Sequence, residues 1–385
     1  MFVKKYGFIV LILFLTGCES VSHLAPVRDL NKLANQVKSN PTDVKAIQKQ
    51  VKKTQRSIKK QVGSVGQLLA TLESVVSRKW GKKNTQQPTR RKYVKYSNDY
   101  QARAIIDFDS STVLVETIAT KNTDALLTQA IVTTLLTSSD PDKTDIFTSE
   151  APILEGEPFL YQQVLDEDGL PIKYQWRANR FARYLIDTKM QKKRSDGHQI
   201  TSVTFELVEQ NAHLRKQKYS EYVLAASKKY QISASLIYGI IETESHFNPY
   251  AVSSSNAYGL MQIIPATAGK DVYQRIKKVS GQPSKEVLFD PKNNIDIGSA
   301  YLSILQNDYL NRINTQQNQH YAMISSYNGG AGNVLRIFNQ DRDIAFSKIN
   351  QLTSSQFYYI LTTKHSREES RRYLEKVTIA EKTYQ

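Results

Sequence analysis

Glu244 closes an apolar run made of Leu236, Ile237, Ile240 and Ile241. Those four residues recur at helical spacing, and Ser233 or Ser235 supplies a capping side chain at the start of the run. At about 100° per residue, Glu244 falls within roughly 10–20° of the middle of the apolar stripe. A carboxyl placed there is desolvated, which raises its pKa and keeps it protonated near neutral pH. That is the state a general acid needs. Glu242 falls on the opposite side of the same helix, where solvation is expected. Periodicity alone leaves another reading open, in which the helix ends near Glu244 and the carboxylate escapes to water. Between Ser245 and Gly269 there is no Asp or Glu, which agrees with chemistry run by one carboxylate. Asp271, Glu286 and Asp290 remain free to approach in space.

The residues that follow carry a pattern. Glu244-Ser245 leads to Tyr258-Gly259-Leu260-Met261-Gln262, and later to Asn294-Ile295-Asp296-Ile297-Gly298-Ser299-Ala300-Tyr301-Leu302. Ser326-Tyr327-Asn328-Gly329-Gly330 and Glu369-Ser370-Arg371-Arg372-Tyr373 complete the series. In this order the four segments resemble the lysozyme-like lytic transglycosylases, with Ser326 in place of the usual Ala and Ser370 in place of Thr.

The resemblance implies cleavage of peptidoglycan glycan strands between N-acetylmuramic acid and N-acetylglucosamine. Ordinary glycosidases use two carboxylates; this family uses one. It implies that Glu244 protonates the glycosidic oxygen, then takes the proton of the C6 hydroxyl, which attacks C1 and closes a 1,6-anhydro ring without water. It further implies that Ser253, Gly259, Gln262, Tyr327 and Asn328 line the substrate cleft, with Tyr327 orienting the carboxyl by a hydrogen bond. Read without the motif, Ser253 is a turn residue, Gln262 an exposed polar side chain, and Tyr327-Asn328 part of a turn before Gly329-Gly330. Two other classes stay open. One is a hydrolytic muramidase of the same fold, which needs a water-activating base. The other is a silent wall-binding protein that keeps the fold, against which the intact Glu244, Gln262 and Tyr327 argue.

At the other end, Lys4 and Lys5 precede an apolar stretch from Phe8 to Leu15, followed by Leu15-Thr16-Gly17-Cys18. A basic start and a short apolar run make an export signal, too short for a lasting span. Leu-Thr-Gly-Cys resembles the lipobox of bacterial lipoproteins, implying cleavage before Cys18 and lipid on its sulfur. Cys18 is the single cysteine of the chain, so no intramolecular disulfide is available. Glu19 is not the aspartate that holds lipoproteins at the inner membrane, which directs the expectation to the periplasmic face of the outer membrane.

Residues 19–92 hold 17 Lys or Arg against four acids, a net +13 of the chain's +16. Val44, Val51, Ile58, Val65 and Leu72 repeat every seven positions, with Ile47, Leu68 and Val75 in a partner register. That predicts a long amphipathic helix or weak coiled coil, weakened by Gly63 and Gly66. Three roles fit the basic segment 28–92: a solvated spacer, contact with anionic lipid or wall polymers, or pairing with another helix. The export signal removes the chain from nucleic acid, so the net charge does not point there.

From Tyr93 the pattern turns globular. Residues 92–96, 103–108 and 112–118 read as a hairpin turning at Asp109-Ser110-Ser111, and Asp124–Leu136 as a helix. Phe159–Val164 and Ile172–Trp176 read as a second hairpin around Asp166-Glu167-Asp168-Gly169. Arg177–Asp187 reads as a helix and Ile200–Val208 as a strand. Lys92–Tyr96 and Glu157–Tyr161 also resemble the non-catalytic N-terminal domain carried by a membrane-bound branch of the family. Further on, 219–230, 234–244, 294–306 and 321–326 carry helical periodicity. The fold class predicted is α+β: a signal peptide (1–17), an anchor and basic linker (18–92), a mixed α+β domain (93–208) and a mainly α-helical lysozyme-like domain (209–385). No His-Glu-x-x-His or cysteine ligand set is present, and Gly329-Gly330-Ala331-Gly332 follows no strand and reads as a cleft loop. No metal or nucleotide cofactor is expected.

Overall fold

The computed structural model describes residues 64–385. Cys18, the apolar leader and most of the heptad stretch lie outside the described residues. The described chain builds one antiparallel sheet in the order β1 (Lys92–Ser97), β2 (Ala102–Asp107), β3 (Thr112–Thr117), β5 (His198–Glu206), β4 (Gln191–Ser195). The first three strands are the consecutive ones read from sequence, short runs rich in β-branched and aromatic residues that are buried on both faces. Register then sorts them by face. Tyr93 pairs with Ile106, which pairs with Val113, which pairs with Phe205, so all four look one way. Val94 pairs with Ile105 and looks the other way.

Helices cover both faces. Tyr93, Ile106, Val113 and Phe205 join a core with Leu127, Ile131 and Leu135 of α2 (Thr123–Leu136) and Phe181 and Leu185 of α3 (Gln175–Lys189). The opposite face packs Val94, Tyr96, Ile105 and Ile200 under Leu72, Val76 and Trp80 of α1 (Val65–Trp80). Arg103 and Glu116 pair at 2.6 Å on this face, both almost fully buried, with the Arg103 guanidinium 4.0 Å from the centre of the Trp80 ring.

Three expectations need correction. Residues 65–92, read as the end of a linker, belong to the folded body. The buried stripe of α1 is Val65, Leu69, Leu72, Val76 and Trp80, not the register through Leu68 and Val75. A sheet presents a broad surface, so the helix buries a wider face than a coiled-coil seam. The hairpin expected around Asp166 is a single bridge, Leu165 to Pro171. Pro171 has no N–H to extend a ladder, and the Asp166 carboxylate ties up the Asp168 and Leu170 amides at 3.1 and 2.9 Å. Strand β4 was missed because Gln191-Lys192-Lys193-Arg194-Ser195 carries no apolar alternation. It is an exposed edge strand.

Past α4 (Asn211–Lys218) the described chain is helical. α5 (Ser220–Tyr230) and α6 (Ala234–Ser245) are followed by α7 (Lys270–Arg275), α8 (Lys285–Phe289), α9 (Pro291–Ile304), α10 (Gln316–Gly329), α11 (Ala331–Arg336), α12 (Arg342–Asn350), α13 (Ser354–Lys364) and α14 (Glu368–Lys382). α6 is the central rod, capped by Ser233 accepting from the Leu236 amide. It lies so close to α14 that a Cβ on Gly239 would sit 3.0 Å from the Glu381 nitrogen. Sheet region and helical region share one core. The Tyr250 hydroxyl donates to the Ser138 carbonyl at 3.0 Å, and its ring meets Tyr93 and Phe159 edge-on. Among the described residues no helix is long and apolar enough to cross a membrane.

Candidate active site

Glu244 sits in the last turn of α6 and is 5% exposed. The helix stops one residue later because His246 and Phe247 both take left-handed backbone (φ +55° and +61°). Such a conformation costs a bulky residue about 1–2 kcal/mol. Packing compensates: Phe247 is buried and stacks parallel to Tyr219. Ser245 explains its place beside the acid, since its hydroxyl reaches the Ile241 carbonyl at 3.0 Å and the Leu260 carbonyl at 2.7 Å. It staples the helix end to the segment that carries Gln262.

Burial pushes the Glu244 carboxyl from the ordinary 4.5 up to about 7. The Arg90 guanidinium, 3.4 Å from the carboxylate, opposes the shift, and so does the Tyr373 hydroxyl. Glu369 adds a small upward push. Desolvation wins, so near neutral pH a large fraction of the carboxyl holds its proton. Glu242 is a correction: it is half-buried, set against Tyr384 and Arg215, and not bathed in water. The C-terminal residues of the chain return across that side of α6.

A cleft of about 960 Å³ opens over Glu244. Ser253, Gln262, Tyr327 and Asn328 all line it. Gln262 holds the wall together by donating to the Ala251 and Gly259 carbonyls at 3.1 and 2.9 Å, and its Oε1 is buried with no hydrogen-bond partner. Asn328 accepts from Ser370 at 2.7 Å, so the Glu-Ser-Arg-Arg-Tyr segment positions a cleft residue. Tyr327 and Asn328 lie in the last turn of α10, not in a turn of their own, and the glycines expected as a cleft loop only break α10 from α11 at Gly330 (φ +84°). Gly259 does not line the cleft. Its positive φ (+70°) lets the chain turn against Asn294 and the Leu288 carbonyl, where a Cβ would come within 2.4 Å.

Tyr327 does not orient the acid as expected, because its hydroxyl donates to the Met261 carbonyl at 2.8 Å. Tyr373 faces the acid instead. Its buried hydroxyl lies within electrostatic reach of Glu244 yet short of good hydrogen-bond geometry. Burial, and the neighbouring Glu244 charge, push both phenols well above their ordinary range. Tyr373 stood in a recognised segment, so a signal for it existed. Arg90 had none, since it reads as one more cation in a basic stretch.

Arg90 arrives from the sheet region. Residues 87–92 form one wall of the cleft on their way into β1. The Asn248 side chain donates to the Arg90 carbonyl at 3.3 Å, and Arg91 reaches the Thr243 carbonyl at 3.3 Å and Asp109 at 2.6 Å. The acids considered as second carboxylates lie elsewhere. Asp271 accepts from Tyr309 beside a separate smaller cavity, Asp290 caps α9, and Glu286 pairs with Lys285 at 3.8 Å.

A family model for the N-terminal domain of membrane-bound lytic murein transglycosylase C matches residues 51–218, and one for the transglycosylase SLT domain matches 221–350. The membrane-bound lytic murein transglycosylase C of Yersinia enterocolitica serotype O:8 / biotype 1B is 49% identical over 321 residues, 83% of this chain and 88% of that relative. The protein of the same description from Yersinia pestis strain Pestoides F matches with the same identity and coverage. Among solved structures, the 70 kDa soluble lytic transglycosylase of Escherichia coli aligns with a TM-score of 0.33 and 24% identity, over 43% of this chain and 24% of its own.

Proposed function

Because the chain belongs to the membrane-bound lytic murein transglycosylase C family and acts on peptidoglycan as a lytic transglycosylase, we propose that Glu244 alone carries both proton transfers of a non-hydrolytic cleavage. The observation that carries this reading is a buried carboxyl, pushed up to about 7, at the floor of an open cleft. In the first half, protonated Glu244 gives its proton to the glycosidic oxygen between the muramoyl and glucosaminyl sugars, and the C1–O bond breaks. The carboxylate left behind is stabilised by the Tyr373 hydroxyl that faces it. In the second half, that carboxylate takes the proton of the muramoyl C6 hydroxyl as its oxygen bonds to C1. The ring closes as a 1,6-anhydro sugar, the other strand leaves with a free 4-hydroxyl, and Glu244 is protonated again. No water enters the balance. Ser253, Gln262 and Asn328 are the polar groups that hold the sugars, with the unpartnered Gln262 Oε1 available to a sugar hydroxyl or amide.

The test is mass spectrometry of the products of purified peptidoglycan treated with the full chain and with Glu244→Gln. Anhydro ends made by the wild type and not by the variant are expected. Reducing ends would mean a hydrolase, and silence from both proteins a binding role.

Anchoring is proposed on sequence grounds. Lipid on Cys18 at the periplasmic face of the outer membrane is supported by Leu15-Thr16-Gly17-Cys18 and by the membrane-bound description of the relatives. Cys18→Ala should move the protein from the membrane fraction to the soluble one. Of the basic segment 28–92, the part before Val65 carries ten Lys or Arg against two acids, the charge for contact with anionic lipid or wall polymers.

A further inference from the structure

Arg90 is poorly matched to its partners. It is 3.4 Å from Glu244, a long contact with no bidentate fork, and 3.1 Å from Glu369, whose side chain is 62% exposed. One of these two acids must be protonated when the cleavage starts, and Arg90 then loses half of its countercharge. Its backbone meanwhile is held in place. Asn248 donates to its carbonyl, and the Val252 amide approaches the Thr89 carbonyl at 3.5 Å. The side chain, 40% exposed, can swing into the cleft without disturbing that anchor.

Other cations on the same wall are occupied. Arg91 holds Asp109 at 2.6 Å, and Lys92 holds Asp107 at 2.8 Å. Arg90 is the cation of the 87–92 wall that reaches the acid itself. A planar guanidinium beside a reacting carboxyl is matched to one more planar carboxylate. The muramoyl sugar carries one by its own chemistry. Its C3 ether ends in a lactyl carboxyl, either free or extended by a peptide stem with carboxylates of its own.

We propose that Arg90 is the cleft's receptor for a carboxylate of the muramoyl unit, and that substrate binding draws it off Glu244. This rests on the reading of the cleft as a peptidoglycan site. The N-terminal region then takes part in the reaction as a reader of substrate charge, and with the sugar in place Arg90 no longer favours the ionised form of the acid. Arg90 is a positioning and specificity residue in this account.

The test uses the full chain and three glycan preparations: stem-bearing strands, strands stripped by an amidase so that bare lactyl carboxylates remain, and stem-bearing strands whose carboxylates are capped as neutral methylamides. Wild-type protein should release ends from capped strands about tenfold more slowly than from uncapped ones, the size of one charge-assisted hydrogen bond. Arg90→Gln should bring that ratio close to one, and Arg90→Lys should restore part of it. If stripped strands keep the preference over capped ones, the lactyl group is the carboxylate read; if they lose it, the stem is. Equal cleavage of capped and uncapped strands by the wild type, or an unchanged ratio in Arg90→Gln, overturns the proposal. Retention of the same strands on Glu244→Gln and on Glu244→Gln/Arg90→Gln reads the preference without turnover. Failure of the wild type to make anhydro ends from any strand is thereby separated from failure of Arg90 to read charge.

Discussion

Glu244→Gln should stabilise the protein above neutral pH while abolishing cleavage. The folded-state pKa of Glu244 is raised, from 4.5 to about 7. Its contribution to stability is therefore fully present below pH 4.5 and is lost as pH rises through about 7. At 1.36 kcal/mol per pH unit, the loss amounts to about 3 kcal/mol by pH 8. Glutamine keeps the shape and removes the charge, so the variant does not lose this stability. The assay is urea unfolding of both full-length proteins between pH 4 and 8, followed by the far-ultraviolet helical signal. Taking the difference between the two proteins removes the contributions of His246 and His365, whose pKa values burial lowers in both. The curves should converge near pH 4 and separate progressively above pH 5, with the variant the more stable. A difference constant with pH would mean that Arg90 fully offsets desolvation, and the acid assignment would lose its physical basis. The same ionisation predicts that wild-type cleavage slows as pH rises through about 7.

Three further outcomes follow from particular contacts. Tyr373→Phe removes the hydroxyl that faces Glu244 and should lower kcat about tenfold or more with the circular dichroism spectrum unchanged. Gly239→Ala drives a Cβ to 3.0 Å from the Glu381 nitrogen and 3.2 Å from the Val377 carbonyl, and should cost about 1–3 kcal/mol in a denaturant titration. Glu116→Ala leaves Arg103 buried beneath Trp80 without its carboxylate and should cost about 3–5 kcal/mol, whereas replacing both partners by apolar residues should cost much less.

What the sequence revealed depended on how local the information was. β1, β2, β3 and α2 were legible because their β-branched and aromatic runs or their helical periodicity lie within each segment. Glu244 was legible because its burial follows from four neighbours on one helix. The loop after Asp166 was not, since Asp166 spends its carboxylate on its own backbone amides in a way that strand propensity does not report. β4 was invisible because an edge strand needs only one neighbour and no apolar face. Tyr373 exchanged roles with Tyr327 because both carry the same hydroxyl, and only the crossing of α14 over α6 decides which one meets the acid. Arg90 lies 154 residues from its carboxylate, and nothing in a run of lysines and arginines marks one of them as belonging to a catalytic cleft.

Strand β4 has a consequence for how copies of this protein meet. The sheet is open at that side, with a row of backbone groups able to accept a further strand from another molecule. Lys192, Lys193 and Arg194 follow one another along it on alternating faces, all exposed. Two such edges approaching each other bring six like charges together, so stacking into a continuous intermolecular sheet is opposed at its first step. The same three residues that hid the strand from the sequence reading keep it from becoming a seed for aggregation.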